Sequence, residues 1–228
     1  MVAGSPGGPE LVAGIPAWRA SEELRATLEA SRRAGFIGET SLDDHLSHAA
    51  GFAAVVEHLT GAPPGLVADL GSGGGLPALV LAEWWRATEF VLIESQQRRA
   101  GFLHEVVRAR AWTDRVTVLQ GRAEVAGRDG RWRGTCDVVT ARSFGRPGVT
   151  AECAAPLLRG GGLLVVSEPP SEGDQARWPP ERCADVGLEP QGAFRVADQF
   201  GYEVLQQTSR CPERYPRRTG VPAKRPLF

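Results

Sequence analysis

Val67-Ala68-Asp69-Leu70-Gly71-Ser72-Gly73-Gly74-Gly75-Leu76-Pro77 decides how this chain of 228 residues is read. An apolar run carries an acid near its end, glycines follow at alternate positions, and an apolar helix-like stretch runs from Ala78 to Trp85. A buried strand that turns sharply into a helix needs this composition. Glycine reaches positive φ without strain and lets the backbone approach a ligand closely. The spacing is Gly-x-Gly-x-Gly. A dinucleotide fingerprint would place its third glycine at Leu76, and a phosphate loop would need Gly-Lys-Ser/Thr. The single lysine of the chain is Lys224, far from the turn. Taken alone, the stretch also fits a glycine-rich βα turn with no ligand.

The surroundings argue for a ligand. A nucleotide-binding α/β unit carries an acid about 20 residues beyond its glycine turn, at the end of the second strand. Glu89-Phe90-Val91-Leu92-Ile93-Glu94 supplies it, and a carboxylate at Glu94 would accept bonds from both hydroxyls of a ribose. A third strand over Arg115–Gln120 runs into Gly121-Arg122-Ala123-Glu124, the loop expected beside an adenine. A fourth, Cys136–Ala141, runs into Arg142-Ser143-Phe144. Singly, Glu94 reads as a solvated strand end and Glu124 as a helix N-terminal charge. Together they describe the turn and crevice of an S-adenosylmethionine-dependent methyltransferase.

The remaining composition sets bounds. With 26 Lys and Arg against 27 Asp and Glu, the net charge is −1. The tail is the exception: from Arg210 onward Arg210, Arg214, Arg217, Arg218, Lys224 and Arg225 face Glu213 alone. Cys136, Cys153, Cys183 and Cys211 form no C-x-x-C pair, so neither a metal site nor a disulfide framework is indicated. No apolar run reaches transmembrane length, and no secretory signal is visible, so a cytoplasmic protein is expected.

Four segments are expected. Residues 1–20, rich in Gly, Pro and Ala, read as a disordered tail. Residues 21–62 form a helical extension: one helix starts at the N-cap Ser21, and a second starts at Ser41 with Asp44 as a capping pair. Residues 63–210 carry the βα alternation. Its strands lie near 66–70, 89–94, 115–119, 136–141 and 162–168, with an antiparallel edge near 193–196 and 202–207. A looser helix is expected over 175–186. Residues 211–228 form a basic segment with too many prolines for regular structure. The expected fold is α/β: a Rossmann-like class I methyltransferase with a mostly parallel seven-stranded sheet and helices on both faces. Trp84 is expected in the core, Trp85 as its cover, and His104 on the surface.

From about Ser31 to the C-terminus the chain resembles the GidB/RsmG family of bacterial methyltransferases, which act at guanine N7 of small-subunit (16S) ribosomal RNA. Phe36-Ile37-Gly38 with Asp44-His45-Leu46 resembles the family's helical lead-in. Asp69 to Pro77 resembles its cofactor turn, including Leu76-Pro77. Arg98-Arg99-Ala100-Gly101-Phe102-Leu103 resembles its arginine-rich helix, and Gly121 to Glu124 its adenine loop. Ala141-Arg142-Ser143-Phe144 resembles its post-strand arginine motif. Tyr215-Pro216-Arg217-Arg218-Thr219-Gly220-Val221-Pro222 with Lys224-Arg225-Pro226-Leu227 resembles its basic C-terminal signature. Two places differ. Asp44 and His48 stand where the family has an arginine and an acid or amide, and Glu168-Pro169 stands where its fifth strand ends in Lys-Gly.

The resemblance implies S-adenosylmethionine as cofactor, held by Asp69, Gly71, Ser72, Gly73, Gly75, Leu76, Glu94, Ser95, Arg98, Ala123, Glu124 and Arg142. Arg142 is expected at the junction of cofactor and substrate, on the methionyl carboxylate or an RNA phosphate, because its fork matches either. His45, Arg217, Arg218, Lys224 and Arg225 are expected to contact RNA. The implied partner is 16S rRNA or the small ribosomal subunit, with no membrane, no metal and a monomeric chain. Guanine N7 already has a free lone pair, so alignment replaces general-base chemistry. Pyrimidine C5 methylation would call for a cysteine nucleophile, which no loop here presents. Two other readings share the fold: a methyltransferase for another RNA or a small molecule, and a non-catalytic protein that binds cofactor or RNA.

Overall fold

The computed structural model of the chain describes residues 10–12, 18–169, 177–197 and 199–228. Its strands are β1 (Glu10–Val12), β2 (Leu66–Leu70), β3 (Glu89–Glu94), β4 (Val116–Gln120), β5 (Cys136–Ala141), β6 (Leu158–Glu168), β7 (Leu188–Val196) and β8 (Phe200–Gln207). The longer helices are α1 (Glu22–Arg33), α2 (Leu42–Thr60), α3 (Ala78–Trp84), α4 (Gln97–Ala109) and α6 (Pro147–Ala154). The shorter α5 (Ala123–Ala126), α7 (Pro180–Cys183) and α8 (Val221–Lys224) complete the set.

One sheet runs in the order β1-β7-β8-β6-β5-β2-β3-β4. Strands β6, β5, β2, β3 and β4 are mutually parallel, and β8 lies antiparallel between β6 and β7. Strand order reverses at β2, which has β3 on one side and β5 on the other. Open α/β sheets bind ligands beyond the carboxyl ends of the strands at such a switch point. The sheet has eight strands where the sequence reading expects seven. Glu10–Val12, placed by that reading in a disordered tail, instead pairs in parallel with Phe194–Val196. The expectation for residues 1–9 and 13–17 falls outside the described residues, as does the start of the helix expected over 175–186. Its later part is α7 followed by a 3-10 turn over Ala184–Val186.

Side-chain alternation gives the sheet two buried faces. Val67, Phe90 and Leu92 point to one core with Leu24, Leu28, Phe52 and Leu79 from α1, α2 and α3. Ala68, Val91 and Ile93 point to the other with Cys153, Ala154, Cys183, Tyr215 and Leu227. The two N-terminal helices therefore cover the sheet itself. Ser21 caps α1 at Leu24 N (3.2 Å) and also anchors it: its amide and hydroxyl donate to buried Glu83 at 2.8 and 2.6 Å, and Arg110 pairs with the same carboxylate. On α2, Gly51 leaves room for the buried Tyr202 ring, whose hydroxyl donates to His48 O at 2.6 Å.

The expected roles of the two tryptophans are reversed. Trp85 is buried, while Trp84 is partly exposed beside Trp18, with ring centroids 5.1 Å apart. Both indoles donate to Glu57 Oε1, at 3.0 and 2.7 Å, which fixes the end of α3 against α2. The C-terminal segment is not irregular throughout: it carries α8 and packs Tyr215, Pro222 and Leu227 into the protein. Among the described residues no helix is long and apolar enough to cross a membrane, and no group of three His, Cys, Asp or Glu side chains stands close enough to hold a metal ion.

Candidate active site

The turn after β2 is built on left-handed backbone. Gly71, Gly73 and Gly75 have φ of 66°, 53° and 99°, a region in which a Cβ is strained. The amides of Gly71 and Ser72 donate to Ile93 O at 2.9 and 3.1 Å, tying the turn to β3. Gly74 is glycine for another reason. A methyl group there would run into Ser31 Oγ and Ile37, and Ser31 Oγ already donates to Gly74 O at 2.9 Å. The lead-in to α2 thus lies directly on the turn.

Asp69 sits beneath it, fully buried. Its Oδ1 accepts from Thr140 Oγ1 at 2.7 Å, and its Oδ2 has no partner. Burial pushes its carboxyl up to about 6 against the opposing bonds from Thr140 and Ser72. Glu94 is buried at the end of β3, where its Oε2 accepts from Gly73 N at 2.9 Å and its Oε1 from Gln96 N at 2.6 Å. Each oxygen keeps a further lone pair for a ligand hydroxyl.

Two cavities open above these groups. One, of about 340 Å³, is lined by Phe36, Ile37, His45, the Gly71–Gly74 turn, Arg99 and Arg142. The other, of about 620 Å³, is lined by Glu94, Ser95, Gln96, Arg99, the Gly121–Glu124 loop, Phe144 and Lys224. Gly71, Arg99 and Ser143 line both, so the two form one elongated crevice across the switch point. Arg142 rises from the end of β5. Its Nη2 donates to His45 Nδ1 at 2.9 Å, and its Nη1 is buried without a partner. With Nδ1 accepting, His45 carries its proton on Nε2 and donates to Gly38 O at 3.0 Å.

Comparison with known proteins gives the family of the chain. The family model described as rRNA small subunit methyltransferase G, GidB, matches residues 24–191. The chain belongs to the GidB family. A ribosomal RNA small subunit methyltransferase G from Rubrobacter xylanophilus is 35% identical over 218 residues, covering 90% of this chain and 82% of the relative. Its counterpart from Thermotoga neapolitana is 34% identical over 168 residues, 72% of each chain. Among solved structures, an O-methyltransferase from Bacillus cereus in complex with SAH superposes with a TM-score of 0.60 at 14% identity, covering 84% of this chain and 93% of that one. TomG of Streptomyces achromogenes, an O-methyltransferase in complex with SAM, gives 0.59 at 16%, covering 85% and 93%. At these identities the structures speak for the class I methyltransferase fold alone.

S-adenosylmethionine fits this GidB chain's crevice on three observations. An unpartnered buried guanidinium nitrogen at Arg142 matches a carboxylate. An unpartnered buried carboxylate oxygen at Asp69 favours a cation above it. The Glu94 carboxylate lines the larger cavity, with lone pairs left over for ligand hydroxyls. Gly71, Ser72, Gly73, Leu76, Glu94, Ser95, Ala123, Glu124 and Arg142 all line the crevice. Asp69 and Gly75 shape the turn from behind it.

Several expected roles change. Arg98 is exposed and lies over the Phe36 ring at 5.7 Å; the arginine that lines both cavities is Arg99. His45 is buried, lines the smaller cavity and accepts from Arg142. Arg217 is spent on fully buried Glu152, with Nε at 2.8 and 3.0 Å and Nη2 at 2.5 Å. Lys224 lines the larger cavity beside Ala223 and Pro226. Arg218 and Arg225 are exposed, as a phosphate contact requires. Glu124 does more than cap a loop, since its Oε1 accepts from Gly220 N at 2.8 Å and draws the C-terminal segment over the cavity. Residues the sequence reading missed include Gln96 and Phe144, the latter packed against the face of Gly71. Phe144 stood in the quoted post-strand motif, but nothing local to it pointed to the crevice.

The cysteines offer no nucleophile. Burial pushes the Cys136 and Cys183 thiols up to about 12 and Cys211 to about 11. Cys153, at the cavity wall, is raised by burial and by the charges of Glu124 and Glu152. A thiol so raised stays protonated and inert near neutrality.

Proposed function

We propose that this protein methylates small-subunit ribosomal RNA, with S-adenosylmethionine as donor and guanine N7 as acceptor. Family membership and the relatives' names support rRNA methylation. The observation that carries the choice of atom is that, among the described residues, no basic imidazole and no ionised thiol stands at the acceptor side, and the carboxylate there, Glu168, is held by Trp178 and Arg177. Beyond Arg142 the crevice meets Ser143, Phe144 and Gly145, and the nearest ring nitrogens belong to His45, which is engaged with Arg142, and His48. Burial, aided by the charges of Arg142 and His45, lowers the His48 imidazole to about 4. An imidazole that weakly basic is a poor proton acceptor in a methyl transfer.

S-adenosylmethionine supplies an electrophilic methyl group on a sulfonium. The chain's own residues do the rest by positioning. Arg142, locked by His45, would hold the methionyl carboxylate, and Glu94 would hold the ribose. The Gly71–Gly73 backbone comes close because no side chain intervenes. Guanine N7 arrives with its lone pair free, so no proton has to leave in the bond-forming step. Fixed alignment of two reacting partners accounts for much of such a rate. Arg218 and Arg225 stand where phosphates of the bound RNA would be neutralised.

The test joins calorimetry to methyl transfer. S-adenosylmethionine and S-adenosylhomocysteine should bind the wild type and fail to bind Gly73→Asp, which sets a second carboxylate against Glu94. Labelled methyl should then enter small-subunit RNA. Absence of cofactor binding would sink the enzyme reading. Binding without transfer to that RNA would move the acceptor elsewhere.

A further inference from the structure

A third cavity, of about 410 Å³, adjoins the cofactor crevice and shares Ser143, Phe144 and Gly145 with it. It is lined on the far side by His48, Phe200 and Glu168. The His48 and Phe200 rings stack in parallel, with centroids 4.9 Å apart and planes 5° apart, so Phe200 forms an aromatic ledge backed by His48. With its imidazole lowered to about 4, His48 is neutral there near neutrality, so the ledge carries no charge. Glu168 ends β6. Trp178 Nε1 donates to its Oε1 at 3.0 Å. Its Oε2 is buried with no N–H aligned on it, although Arg177 Nη1 stands 2.8 Å away on a side chain that is 44% exposed. Burial raises the Glu168 carboxyl, while the Trp178 bond and the Arg177 charge oppose that rise. Neighbouring Glu203 is raised to about 7 by burial and by the charge of Glu168.

We infer that this cavity receives the target base and that Glu168 is its specificity-determining residue, accepting the N1–H and N2 amine of a guanine. This rests on the guanine-N7 reading above. A guanine whose N7 faces the cofactor crevice across Ser143–Gly145 turns its opposite edge toward Glu168. That edge carries two adjacent donors, which an ionised carboxylate accepts side by side, as it does from an arginine fork. Adenine presents an acceptor at N1 and would meet the carboxylate with repulsion. The Phe200 ledge, backed by His48, supplies the stacking face that extruded bases need, and a base drawn out of its stack is read along its Watson–Crick edge. Arg177 covers Oε2 as an exchangeable partner and swings aside for the base donors.

The test uses small-subunit RNA with guanosine or inosine at the methylated position. Inosine keeps N7 and N1–H but lacks the N2 amine. Wild type should prefer guanosine, by roughly 5- to 150-fold in kcat/KM, the range for a good bidentate base contact. Glu168→Gln, whose amide oxygen can still accept from Trp178, should lose that preference while keeping wild-type affinity for S-adenosylhomocysteine, and Glu168→Ala should lose it with a lowered Tm because Trp178 Nε1 is left without its acceptor. A purely structural role would lower Tm or overall rate and leave the guanosine-to-inosine ratio intact, and an intact ratio overturns the inference. Loss of transfer by the wild type on both RNAs overturns the guanine-N7 reading and this inference with it. Transfer by the wild type with equal rates on both overturns the inference alone.

Discussion

Replacing Arg217 separates a structural arginine from an RNA clamp. Glu152 on α6 is fully buried, and among the described residues Arg217 alone supplies its cation. The Arg217→Ala variant keeps the backbone bond from residue 217 to Oε1, at 2.7 Å in the wild type. It loses the three guanidinium bonds, and also the bond from Nη2 to Arg225 O at 2.6 Å. Breaking a buried pair leaves an uncompensated charge at a cost of about 3–5 kcal/mol. The arginine is itself 30% exposed, so water relaxes into the gap and the low end, about 3 kcal/mol, is expected. For a chain of this length each kcal/mol moves Tm by about 2–4 °C, so calorimetric unfolding should show a loss of roughly 6–12 °C. Glu152→Gln in the same background should recover part of it, because the neutral amide needs no cation. A variant with unchanged Tm and weakened RNA retention would refute this reasoning and restore Arg217 as a phosphate contact.

Three further outcomes are expected. His45→Ala strips the partner from Arg142 Nη2 and should weaken S-adenosylmethionine binding by about tenfold, the worth of one charged hydrogen bond; His45→Gln should recover part of the loss in calorimetry, and unaltered affinity would remove the positioning role. Gly74→Ala drives a methyl into Ser31, Ile37 and the Phe36 backbone and should cost about 1–3 kcal/mol in urea unfolding; wild-type stability would mean the lead-in does not rest on the turn. Asp69, moved from 3.8 to about 6 by burial, has its folded pKa above its unfolded one. Its contribution to stability is therefore complete below about pH 4 and is lost as pH rises through 6. The wild type should lose roughly 3 kcal/mol more than Asp69→Asn over that window, and parallel pH profiles for the two proteins would contradict the shift.

What the sequence made legible follows from how local each signal is. The turn was readable because Gly71, Gly73 and Gly75 each answer a backbone demand within a few residues, and the observed positive φ values match it. Glu94 was readable because a parallel strand pair sets its spacing from the turn. The edge strand β1 was not, because Glu10-Leu11-Val12 is too short to carry a pattern and its partner lies more than 180 residues away. Arg98 and Arg99 are helix neighbours about 100° apart in phase, and Trp84 and Trp85 straddle the end of α3. Which of each pair faces inward depends on how the helix is rotated against the sheet. The C-terminal arginines read as free charge because Glu152 and Glu124, which fasten that segment, are distant in sequence. Composition alone cannot show that a cation is already spent.

The most direct measurement is nucleoside mass spectrometry of ribosomal RNA after incubation with the protein and S-adenosylmethionine. The account predicts 7-methylguanosine at one position of the small-subunit RNA and none in the large-subunit RNA. Methyl found on another atom or base, or none in a protein that binds the cofactor, would contradict it.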